Sequence, residues 1–83
     1  MSDALRALAR EAIEDGRMPR RDPERAWATL GMQTLCIVCH QIVTADDPAV
    51  EATFALLGTR PTLRYAHAQC YVAWEQERQT LHT

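Results

Sequence analysis

The sequence lacks lysine, a long apolar run and an even number of cysteines. All nine basic residues are arginine, and eleven acidic residues leave a formal net charge of -2. Such a balance lacks the basic footprint of most nucleic-acid-binding proteins. No segment approaches the roughly 18 apolar residues of a membrane span, and no charged start followed by an apolar run indicates a secretory signal. Three cysteines cannot all pair as disulfides, so we expect a reducing, cytoplasmic location.

The length of 83 residues predicts a single domain over 1–83. In a chain of this size, a hydrophobic core alone gives only marginal stability. Such chains often add a metal or a partner subunit. We divide the chain into an N-terminal helix over 1–16, a linker with a short helix over 17–33, and a metal-binding unit over 34–83.

Two half-sites dominate the second part of the chain. Cys36 and Cys39 are separated by two residues, as are His67 and Cys70. This spacing suits a tetrahedral zinc ion bound by thiolate and imidazole. The first pair fits a tight knuckle, and the second pair fits the first turn of a helix. Two ligands on a knuckle, two on a helix and a hairpin between them predict an α+β treble clef. Its four zinc ligands complete the coordination and disfavour catalysis at the metal.

The N-terminal segment predicts an amphipathic helix. Apolar residues recur at helical spacing on one face, at Leu5, Leu8, Ala9, Ala12 and Ile13. Gly16 stands where a left-handed C-terminal cap would end the helix, and Pro19 follows. The apolar stripe could pack on its own domain or form a seam with a partner, and its period does not separate the two.

The linker also carries a helix signal. Asp22 resembles an N-cap and Pro23 a first helical residue, so the pattern predicts a short helix over 24–27 that Gly31 ends. Trp27 is then expected to fill the domain core, because a large aromatic residue offers much apolar area to bury.

The metal-binding unit predicts a hairpin, two longer elements and a helix. Residues 50–57 alternate in a strand-like period of two, although their alanines leave a short helix open. The predicted elements are a hairpin over 34–44, a break at 45–48, a strand over 50–57, a turn at 58–61, a returning strand over 63–66 and a helix over 67–81.

The chain resembles a family of small bacterial zinc-finger-like proteins with LIM-like half-sites. The matching features are Gly16-Arg17-Met18-Pro19, Trp27, the Cys36 and Cys39 knuckle, and a helix with His67, Cys70, Tyr71, Trp74, Glu75 and Arg78. The resemblance implies a zinc-binding fold and no activity. The spacer between the half-sites is longer than is usual in LIM modules. Knuckles of this kind usually place Gly after the second Cys, whereas this chain has His40, which tolerates a left-handed backbone better than most residues.

Three other uses of these residues remain open alternatives. Cys36-Ile37-Val38-Cys39-His40 matches the attachment motif of c-type haem, although every Met precedes it. A thioredoxin-like Cys pair would need a preceding strand in a βαβ setting. A nucleophilic Cys70 with His67 would need a third, orienting group.

We expect a non-catalytic protein-interaction module that binds a protein partner or itself. The alternative is a regulator that binds nucleic acid through arginines, namely Arg17, Arg20, Arg21, Arg25, Arg60 and Arg64. The first four could instead be solvated linker residues paired with nearby acids.

Overall fold

The computed structural model describes residues 3–31, 33–55 and 61–81. Its elements are α1 (Asp3–Glu14), β1 (Arg25–Leu30), β2 (Thr34–Leu35), β3 (Ile42–Val43), β4 (Pro48–Phe54), β5 (Thr62–His67) and α2 (Ala68–Leu81). The strands β1, β4 and β5 form an antiparallel sheet in that order, and β2 pairs with β3 in a separate hairpin. The predicted α+β class with an N-terminal helix, a hairpin and a C-terminal helix is confirmed.

The helix α1 packs its apolar stripe on its own domain. Ala9, Ala12 and Ile13 are buried, and α1 lies against α2. Gly16 has a φ of +86° and ends the helix, as predicted. The Met18 amide donates to the Ala12 carbonyl at 2.9 Å, which satisfies an otherwise unpaired group at the helix end.

The predicted short helix in the linker is wrong. Residues 25–30 form the edge strand β1, in which Arg25 pairs with Thr53. Asp22, whose cap signal suggested the helix, instead forms an ion pair with Arg78 at 2.7 Å. Pairing with β4 supplies hydrogen bonds and therefore overrides the weak local preference of this alanine-containing segment.

Trp27 does not fill the core, contrary to prediction. Its side chain is 43% exposed on β1, whereas Trp74 of α2 is fully buried. The Trp74 ring meets Phe54 edge-on at 5.5 Å, and its Nε1 donates to the Pro19 carbonyl at 2.8 Å. Met18 is also buried, in the same hydrophobic cluster as Trp74. The linker therefore packs against the core around Trp74.

The predicted strand over 50–57 is confirmed over 50–54, and the helix alternative is wrong there. The strand begins earlier than predicted, at Pro48, and residues 56–57 lie outside the described residues. Its partner β5 places Ala49 opposite His67 and Val50 opposite Ala66. The predicted turn at 58–61 lies outside the described residues except for Pro61. Within the described part of the chain, no helix is long and apolar enough to cross a membrane.

Candidate metal centre

The fold brings the two half-sites together. Cys36 and Cys39 lie in the β2–β3 turn, His67 is the last residue of β5, and Cys70 lies in the first turn of α2. The sequence predicted both His67 and Cys70 on the helix, so the position of His67 is a small correction. The four ligand atoms all lie within 4.8 Å of one another. This convergence places all four predicted ligands in one cluster.

Two of the distances in the cluster are close to those around a tetrahedral ion. His67 Nδ1 lies 3.4 Å from Cys39 Sγ and 3.8 Å from Cys70 Sγ. Zinc bonds of about 2.3 Å to sulfur and about 2.05 Å to nitrogen would separate two tetrahedral ligands by about 3.6 Å. Three sulfurs and one imidazole nitrogen are donors that zinc accepts. The residues therefore fit a closed structural metal site.

The knuckle backbone is shaped around Cys36. The His40 amide donates to the Cys36 carbonyl at 3.0 Å, and the Cys36 amide donates to the Gln41 carbonyl at 2.9 Å. The Val38 amide points at Cys36 Sγ at 3.4 Å. His40 has a φ of +65°, the left-handed conformation expected after the second Cys. Histidine thus occupies a position that commonly holds glycine.

The three thiols compete for protons. The pKa of Cys36 is lowered to about 4, chiefly by a hydrogen bond from the Cys70 thiol. That same bond raises the pKa of Cys70, while burial raises the pKa of Cys39. Three thiolates this close repel one another, so the cluster holds protons that a divalent cation would displace.

Arg17 holds the knuckle from the linker side. Its Nη1 donates to the Ile37 carbonyl at 2.6 Å and its Nε to Asp15 at 2.8 Å. From the opposite side, the Ile37 amide donates to the Tyr65 carbonyl at 2.9 Å. The sequence assigned Arg17 to a partner surface and did not anticipate this contact, because the knuckle lies 20 residues away in the chain.

The other described arginines of the predicted contact set differ in their surroundings. Arg64 Nε donates to the Arg17 carbonyl at 2.8 Å, so both side chains already bind backbone carbonyls. Arg20, Arg21 and Arg25 have exposed side chains. Arg60 lies outside the described residues. Binding of nucleic acid by this set stays a prediction.

Asp47 is a site residue that sequence reasoning missed. Its Oδ2 lies 3.7 Å from His67 Nε2, on the side of the ring away from the sulfurs. The same oxygen accepts the Thr44 amide at 3.0 Å, and this bond is the main cause that lowers the pKa of Asp47. In the sequence analysis, Asp47 belongs only to the predicted break at 45–48. Asp47 and His67 are 20 positions apart in the chain, so no short-range pattern predicts that they meet.

His40, which admits the haem alternative, is exposed and outside the cluster. The Cys36 and Cys39 side chains converge with His67 and Cys70 instead. Comparisons of the chain with protein-family models, with curated proteins and with solved structures find no match.

Proposed function

We propose that this protein is a zinc-stabilised, non-catalytic module that binds other proteins. The observation that carries the zinc assignment is the convergence of Cys36, Cys39, His67 and Cys70 within 4.8 Å. Four such donors complete a tetrahedron and leave no coordination position for a substrate, which supports a structural role. The order of knuckle, hairpin, strands and closing helix supports a treble clef, and the sequence resemblance to small bacterial zinc-finger-like proteins agrees with it.

The surface that supports protein binding is the side of the sheet opposite α2. Residues directly opposite one another in antiparallel strands share a face, so Trp27, Glu51 and Tyr65 form one row across the sheet. Leu63 shares this face and is 54% exposed. Phe54 points the other way, toward Trp74. We call the residues of this side the exposed sheet face.

Further exposed apolar residues lie on the neighbouring hairpin. Leu35 and Ile42 are cross-strand partners in the hairpin and are both more than half exposed. Thr34 and Leu63 line one shallow cavity, so the hairpin adjoins the exposed sheet face. Exposed apolar groups that cluster are typical of interaction sites, whereas isolated ones are not. The stripe of α1 packs internally, which leaves this surface as the better candidate.

The zinc assignment is tested by elemental analysis of natively purified protein. We expect one zinc per chain, and we expect Cys36→Ser and Cys70→Ser to abolish cooperative unfolding, because each removes a ligand. The matched control is Gln41→Ser, at an exposed position next to the knuckle that provides no ligand. Folded protein that contains no metal would refute the assignment.

Protein binding is tested with surface variants. Trp27→Ser and Leu63→Ser should weaken self-association in sedimentation equilibrium, or capture of a partner. Val72→Ser, at an exposed position of α2 away from this face, should not. Capture that survives high salt would support an apolar protein contact. Binding to DNA or RNA that falls steeply with salt would instead support the nucleic-acid alternative.

A further inference from the structure

The two ring nitrogens of His67 face chemically different partners. Nδ1 lies 3.4 Å from Cys39 Sγ and 3.8 Å from Cys70 Sγ, inside the ligand cluster. Nε2 points away from the cluster and lies 3.7 Å from Asp47 Oδ2. Asp47 is therefore placed beyond the ring rather than among the ligands. A neutral imidazole has one N–H, so the partner of one nitrogen decides what the other can do.

We propose that Asp47 is a positioning residue of the metal site. In the metal-bound protein, a small shortening of the 3.7 Å separation would let its carboxylate accept the Nε2–H of His67. That bond would hold the tautomer in which Nδ1 has a free lone pair for the metal. The carboxylate would also restrain rotation of the ring. This inference rests on the proposed zinc function, and it adds an outer residue to the ligand set.

Asp47 is held in place independently of any ion. Its Oδ2 accepts the Thr44 amide at 3.0 Å, and its own amide donates to the Thr44 carbonyl at 3.0 Å. Its carbonyl accepts the Gly31 amide at 2.9 Å. These bonds fix the backbone immediately before β4.

The register of the sheet places Asp47 close to His67. Ala49, two residues after Asp47, is the direct cross-strand partner of His67. The carboxylate is thus placed beside the ring by backbone pairing, before the ligands meet a metal. A positioning group is effective when its own geometry is restrained in this way.

A turn residue with no role at the metal is the competing explanation, and one substitution separates the two. In Asp47→Asn, the amide oxygen can still accept the Thr44 N–H, so the turn is retained while the negative charge beside His67 is lost. Asp46→Asn is the matched control, because Asp46 is an exposed neighbour with the same charge. The Thr44 amide resonance reports whether the turn persists.

The first measurement is the zinc affinity of the 83-residue chain by chelator competition at pH 7. We expect Asp47→Asn to weaken binding about 10- to 100-fold, the range for outer partners of histidine ligands. Asp46→Asn should change it by no more than about twofold. Equal affinities of wild type and Asp47→Asn would overturn the proposal.

The second measurement is the tautomer of His67 in the zinc-bound protein by long-range ¹H–¹⁵N NMR. We expect a metal-bound Nδ1 and a protonated Nε2. The contact borders an open cavity of about 300 Å³. Replacing the carboxylate by the weaker, neutral amide acceptor in Asp47→Asn should therefore speed exchange of this proton with solvent. Coordination through Nε2 would overturn the proposal and leave the zinc function standing. A wild-type protein that binds no zinc would overturn both.

Discussion

At the scale of single residues, Arg17 joins three parts of the molecule. Its guanidinium donates to the carbonyls of Ile37 and Val38, and its own carbonyl accepts Arg64 Nε. The side chain is 20% exposed, so these bonds are largely shielded from water. Hydrogen bonds to charged groups contribute about 1.5–3 kcal/mol when partly buried. Arg17 therefore stabilises the knuckle that carries two of the proposed ligands.

Replacing Arg17 by Met should lower the free energy of unfolding by about 1.5–3 kcal/mol, because the carbonyls of the knuckle lose their donor. Urea denaturation of the zinc-loaded protein measures the change. Arg21→Met removes an exposed arginine from the same linker and should stay within about 0.5 kcal/mol of wild type. Similar losses in both variants would contradict the role of Arg17.

Two glycines offer a second contrast at this scale. A Cβ at Gly31 would clash with the Thr44 carbonyl oxygen, a backbone atom that cannot rotate away. A Cβ at Gly16 meets nothing within 4 Å. The cost there comes only from the left-handed φ of +86°, which a residue with a side chain adopts with strain. Gly31→Ala should therefore destabilise the protein by about 2 kcal/mol or more, whereas Gly16→Ala should cost about 1–2 kcal/mol. The free energies of unfolding decide, and a larger loss at Gly16 would refute the close approach at Gly31.

At the scale of elements, a buried carboxylate fastens α1 to α2. The Glu77 side chain is 1% exposed and accepts Arg6 Nε at 2.9 Å and Arg10 Nη2 at 3.2 Å. The hydrogen bond from Arg6 is the main cause that lowers the pKa of Glu77, while burial opposes it. Both arginines are nearly half exposed, which moderates the strength of the pairs. The charged form of Glu77 is thus favoured in the folded protein.

We predict that Glu77→Gln destabilises the protein by about 1–3 kcal/mol at pH 7. Because the folded pKa of Glu77 is lowered, its advantage is fully present above the unfolded value of about 4.3 and is lost as pH falls through the folded pKa. The difference between wild type and Glu77→Gln should therefore shrink in acid. Acid effects on the shared metal site cancel in this difference. The control is Glu11→Gln, at an exposed position of α1. A stability difference between wild type and Glu77→Gln that does not depend on pH would contradict the prediction.

At the scale of the whole molecule, the domain is a plate of 33 × 31 × 18 Å with helices on one side of the sheet. The β2–β3 hairpin forms a separate sheet and contributes Cys36 and Cys39, while β5 and α2 contribute the other ligands. A metal at the cluster would therefore join the hairpin to the main sheet and helix. In a chain this small, such a link supplies much of the stability.

Removal of zinc by a chelator should therefore abolish cooperative thermal unfolding and the near-ultraviolet circular dichroism of buried Trp74. Metal binding contributes on the order of 10 kcal/mol in zinc-finger peptides, which equals or exceeds the stability of most small domains. Addition of zinc should restore both signals. Unchanged unfolding after complete removal of the metal would show that the core suffices without it.

The sequence by itself determined the features that depend on short-range patterns. The spacing of Cys36–Cys39 and His67–Cys70 defines two ligand pairs, and the periodic apolar residues of 5–13 with Gly16 define a helix and its end. Metal-ligand spacing, helical periodicity and caps act over a few residues, so they can be recognised without the fold.

Only the tertiary structure decided what the intervening segments do. Residues 25–30 form a strand because they pair with the edge of β4. Trp27 on that strand is exposed, and Trp74 is buried in the core instead. Arg17 met Ile37, and Asp47 met His67, across separations of 20 residues each. Such contacts depend on sheet register and on the competition of distant side chains for the same core. That competition is settled by the whole chain, and no local pattern encodes it.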